Sequence, residues 1–144
     1  MNTRLATVAP ELVNWAESLP AARRRTLACA VAQWACARTD VAGLLGEGPL
    51  QRLLQPGYHA TAQDRALLGA KADELDEQYF RLADEGEISE QALGGFEQAR
   101  ALSSLLCSFD AGNLPSLCDT LYEAQAVTDD LPAFEQLCRS YAMP

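Results

Sequence analysis

The sequence is short of several things at once, and each shortage removes a class of function. It holds one histidine, His59, in 144 residues, so neither a His-rich metal cluster nor the E-x-x-H elements of a dinuclear carboxylate bundle can be assembled. Its five cysteines (Cys29, Cys36, Cys107, Cys118 and Cys138) form no C-x-x-C. An odd number in apolar, helix-like surroundings reads as free thiols packed as small hydrophobes in a reducing compartment. A Gly-rich phosphate loop, a G-x-S-x-G elbow and a D-x-D-x-D-G calcium loop are all missing. No apolar run approaches the roughly 20 residues that a bilayer span requires. Basic charge is scarce as well: 11 Lys and Arg stand against 20 Asp and Glu, a net charge of −9. That balance is unsuited to a phosphate backbone. These shortages predict a chain that is not an enzyme and has no catalytic residues, metal ligands or cofactor. They also predict no nucleic-acid partner and no membrane insertion.

What is present describes a folded helical chain. Apolar residues make up 49% and charged residues 22%, the balance of a globular protein, and the length suits one domain over residues 1–144. Val, Ile and Thr are scarce, and the apolar positions recur three and four apart rather than alternating, which predicts an all-α fold. Pro10 suits a first helical turn, Pro20 ends that segment, and a longer helix follows over 21–38. Asp40 is placed to cap a short turn, and Gly46, Gly48 and Pro49 punctuate before a helix over 50–55 that Pro56 and Gly57 stop. Thr61 or Asp64 opens a long helix to about residue 85 carrying Leu68, Ala72, Leu75, Tyr79 and Leu82. Ser89 opens the next, with Ala92, Phe96, Ala99, Leu102 and Leu106. Gly86 between them fits a helix C-terminus. The short connection predicts a central antiparallel hairpin over about 62–110. Pro115 and Asp129 or Asp130 mark two further helices, giving a single compact bundle of six or seven.

Charge is unevenly distributed. Residues 1–60 carry a net +2 and residues 61–144 a net −11, with nine carboxylates against one base within 73–97. Asp73, Asp76, Glu77, Phe80 and Asp84 recur at helical spacing along one side of the first hairpin helix. Glu85, Glu87 and Glu90 continue the run into the connection and the next helix. Three readings apply to these residues: a solvated surface that keeps the chain soluble, a docking face for a basic protein, or a carboxylate metal site or acid/base pair. Phe80, beside Tyr79 at the edge of the apolar stripe, is expected to be buried against another helix, an exposed aromatic anchor being the alternative.

Elsewhere, Arg23, Arg24 and Arg25 stand before the apolar segment 26–37 in the order of a secretion signal. They begin more than twenty residues in, and Gln33 interrupts the apolar run, so the segment reads as a core helix. Positive charge is poorly placed at a helix start, so the cluster is expected to pair with the acidic hairpin, within the fold or across a homodimer, binding of a phosphate or a carboxylate being the alternative. Gly95, Ala99 and Ser103, four apart, form a strip that another helix can approach closely. A kink at Gly94 and Gly95 is the alternative. Trp15, Trp34 and Tyr58 read as core or cap aromatics.

The segments Ala66–Leu68 through Tyr79–Phe80, Gly86–Ser89 and Ala99–Leu106 resemble the small, acidic, all-helical bacterial immunity proteins that neutralise toxins delivered by contact-dependent or type VI secretion. The likeness covers residues 60–130 and rests on helix pattern, size and acidity. It implies a cytoplasmic inhibitor that binds a toxin, and a concentrated acidic face is what an inhibitor of a basic protein requires. The partner-binding residues on this reading are Asp73, Asp76, Glu77, Phe80, Asp84, Glu85, Glu87 and Glu90. The alternative is a chaperone or adaptor for a secreted effector, using an apolar groove beside Gly95 and Ala99.

Overall fold

Short polar side chains set most of the helix starts. The computed structural model describes residues 3–86 and 89–141. Among these residues Thr3, Thr61, Ser89, Asn113 and Asp130 each accept a hydrogen bond from a backbone N–H three residues on, satisfying amides that a helix leaves orphaned at its first turn. Thr61 rather than Asp64 is the cap of the long helix, and Asp64 reciprocates by accepting from the Thr61 N–H at 3.0 Å, completing a capping box. The Tyr58 hydroxyl donates to the same carboxylate and, with Thr61 and Arg52, holds it below its ordinary value.

The described residues form α1 (Arg4–Val8), α2 (Pro10–Glu17), α3 (Ala21–Arg38), α4 (Val41–Leu45), α5 (Glu47–Leu53), α6 (Ala62–Asp84), α7 (Glu90–Ser108), α8 (Leu114–Gln125) and α9 (Leu131–Tyr141), with no strand. The all-α expectation holds. The count exceeds six or seven because three helices of five to seven residues, α1, α4 and α5, lie below the length at which apolar periodicity is readable. Gly48 and Pro49, expected to precede the helix of that region, lie inside the first turn of α5, where a missing N–H costs nothing. Asp40 does not cap α4 through its side chain; it sits in the left-handed region with φ 55°.

The hairpin is antiparallel, as its cross-contacts show: Arg65 reaches Asp110, Leu106 lies over Gly69, Arg100 meets Asp76, and Tyr79 packs on Phe96. Gly86 closes α6 with φ +74°, a conformation that suits glycine at a helix C-terminus. α7 is the central helix and packs against α6, α3 and α8, while α3 also packs on α8 and α9. One apolar core runs from Leu5 to Cys138, with Leu27, Val31, Leu102, Leu105, Leu117, Leu121 and Phe134 among its buried side chains. Trp34 lies against Phe134 with ring centroids 5.6 Å apart, Tyr58 lies near Phe109, and Trp15 sits at the core margin under Arg139. No helix among the described residues is long and apolar enough to cross a membrane.

α6 is an edge helix. Its one extensive neighbour is α7, and of its 23 residues only Leu68 and Ala72 are buried, with Leu75, Tyr79 and Leu82 half-buried. Its outer side faces solvent, which is why most of the acidic row is displayed rather than packed away.

Candidate protein-binding surface

Asp73, Glu77, Phe80 and Asp84 recur at intervals of four, three and four, and all four are exposed on the outer side of α6. Glu85, the C-cap of α6, and Glu90, in the first turn of α7, are exposed at the hairpin end. Glu87 lies outside the described residues. Among the described residues Asp73, Glu77, Asp84, Glu85 and Glu90 take part in no salt bridge, whereas Glu74 is engaged by Lys71 at 3.8 Å. The face therefore carries its negative charge without counter-ions from the described residues, at a cost of a few tenths of a kcal/mol per like-charged pair at helical spacing.

Phe80 corrects the expectation of burial. Phe80 is 56% exposed, because among the described residues no helix packs on the outer side of α6, and leaving the ring there forgoes roughly 1 kcal/mol that full burial would bring. The ring is nonetheless held in place. It meets Tyr79 edge-on with centroids 5.4 Å apart, Tyr79 packs on Phe96 at 4.8 Å, and Phe96 lies under the Arg100 guanidinium at 5.1 Å. An exposed aromatic fixed from behind and flanked by carboxylates on the same side has the make-up of an interface anchor with a polar rim.

Asp76 also departs from expectation. It turns toward α7 and pairs with Arg100, whose other amino group reaches Glu123 of α8 at 3.1 Å. Glu123 is 5% exposed and takes a second arginine, Arg4 of α1, at 3.0 Å, and Arg4 reaches Asp119 at 3.4 Å. Asp76 thus belongs to a chain of charges tying α6, α7, α8 and α1 together and is removed from the exposed acidic row. The sequence carries a partial signal for this network in Glu123, a lone carboxylate inside the otherwise apolar α8 turn of Leu121 and Ala124, but spacing along one helix cannot name its distant arginines.

Two members of the arginine cluster turn to backbone rather than to the hairpin: Arg24 donates to the Glu17 carbonyl at 3.0 Å, and Arg25 lies across Gly112; the carboxylate turned inward from α6 is taken by Arg100. The small-residue strip is already occupied. Ala99 is fully buried and Leu75 lies over Gly95, so the apolar groove expected there is covered by α6.

The thiols are free and poorly nucleophilic. Burial pushes Cys36 and Cys138 up to about 12, and burial with neighbouring carboxylates pushes Cys107 up to about 11. His59 is exposed in the turn after α5. Among the described residues no three His, Cys, Asp or Glu side chains are grouped to hold a metal ion. No family model, curated protein or solved structure matches the chain.

Proposed function

We propose that this chain is a non-catalytic cytoplasmic binding protein that neutralises a cognate bacterial toxin by gripping a basic surface of it with the outer face of α6. The observation that carries this reading is Phe80, exposed yet braced by Tyr79 and Phe96, with the unpaired carboxylates of Asp73, Glu77 and Asp84 on the same side. The carboxylates steer and orient a basic partner, and the ring supplies the desolvated centre that fixes it. Asp76 contributes by bracing α6 on α7 rather than by touching the partner.

The test is a pull-down with the tagged chain from its native cell at low and at physiological salt, followed by assay of the captured protein's own activity. One dominant basic protein, held more tightly at low salt and inactive in the stoichiometric complex, is the expected result. Several apolar secreted clients, held regardless of salt, would contradict it and favour a chaperone or adaptor.

A further inference from the structure

An open cavity of about 340 Å³, lined mostly by exposed residues with Cys29 and Ala30 half-buried at its floor, lies between α3 and the turn that follows α5. That size is at the lower end of small-ligand sites. Its α3 wall is a single stripe of Ala22, Thr26, Cys29, Ala30 and Gln33, and Pro56 and Gly57 form the other side. The wall is mostly apolar, and none of the described residues lining it is acidic. Cys29 donates its thiol to the Leu54 carbonyl at 3.2 Å, and Thr26 donates to the Ala22 carbonyl at 3.1 Å, so both hydrogens are already committed. The lining residues with side-chain donors not so committed are Arg25 and Gln33, both exposed.

Arg25 is placed by an unusual neighbour. Gly112 does not have a positive φ, so its backbone does not call for glycine; a Cβ there would instead stand 2.9 Å from the Arg25 Nη1 and 3.9 Å from its Cγ and Cδ. The missing side chain leaves room for the arginine to lie across the turn before α8. The nearest carboxylate of that turn, Asp110, is held by both amino groups of Arg65 at 2.8 and 3.1 Å. Arg25 makes no salt bridge among the described residues, and it stands in the half of the chain that carries a net +2.

From the apolar wall, the absence of acidic lining and this uncommitted guanidinium, we infer that the cavity binds a small organic monocarboxylate, its apolar body along α3 and its carboxylate on Arg25. This site is independent of the acidic face of α6.

The probe is hexanoate, titrated into the full-length ¹⁵N-labelled protein, with hexan-1-ol and hexylammonium as neutral and oppositely charged probes of the same apolar body. Hexanoate is expected to produce saturating amide shifts over residues 22–33 and 56–57 with a Kd on the order of 1 mM. Hexanol should bind about tenfold more weakly, as expected for loss of a charge-assisted hydrogen bond, and hexylammonium should not bind. Arg25→Gln should weaken hexanoate about tenfold. Gly112→Ala, which pushes the guanidinium aside, should weaken it too while leaving the urea midpoint unchanged. Shifts that do not saturate, hexanoate and hexanol binding equally, or an Arg25→Gln variant that binds like the native chain would each overturn the assignment.

Discussion

Arg100 of α7 is the charged link to both α6 and α8, and its surroundings allow little compensation if it is lost. It is largely buried and pairs with Asp76 and with Glu123, whose side chain is 7% exposed. Removing one member of such a group leaves a desolvated charge behind, so Arg100→Ala should lower stability by about 3 kcal/mol in urea denaturation. Arg65→Ala, which breaks an exposed pair with Asp110, should cost no more than about 1 kcal/mol. Equal losses at the two positions would show that the network carries no special weight. The thiols give a second test at this scale. Cys36 and Cys138 ionise near 12 in the folded chain against an ordinary value of 9.0, so the folded state holds protons that the unfolded state gives up. Their contribution to stability is complete below pH 9 and declines as pH rises from there toward 12. The urea midpoint should therefore be flat from about pH 7 to 8 and fall above about pH 9, less steeply in Cys36→Ala.

At the scale of the helix, the long elements were legible and the short ones were not. Residues 62–84 and 90–108 announce themselves by caps, stripe and a terminal glycine, and Gly86 and Ser89 do in the structure what their positions imply. The helices α1, α4 and α5 have too few turns to show a period, and they are held by packing of Leu5, Val41, Leu50 and Leu53 rather than by propensity. Thr61→Ala should cost about 1 kcal/mol by removing half of a capping box. Gly94 and Gly95 make a sharper point, because the sequence suggested that close approach of another helix requires one of them. A Cβ at Gly94 would meet open space, and one at Gly95 would stand 3.8 Å from the Leu75 Cδ2, an ordinary contact. Gly94→Ala and Gly95→Ala should each raise stability by roughly 0.5–1 kcal/mol, read as a higher thermal midpoint, whereas Gly86→Ala should lower it. Destabilisation by Gly95→Ala would restore the close-approach reading.

At the scale of the whole molecule, the sequence reveals where charge is concentrated but not which carboxylates remain available. Asp73, Glu77 and Asp84 stay on the surface because α6 is an edge helix, a fact of topology that periodicity along α6 does not contain. Asp76 shares their spacing but is drawn inward by Arg100, 24 residues away. Phe80 reads as a core residue because a ring beside an apolar stripe is usually covered; here none of the described helices packs on that side of α6. The decisive measurement is the affinity of the captured basic partner for the native chain and for Glu77→Lys/Asp84→Lys at two salt concentrations. Both residues are exposed and outside the ion network, so the urea midpoint should not change. The account predicts at least about a tenfold loss of affinity at low salt and a flatter salt dependence in the variant. Unchanged affinity and salt dependence, with the variant folded, would contradict the claim that the outer face of α6 is the docking surface.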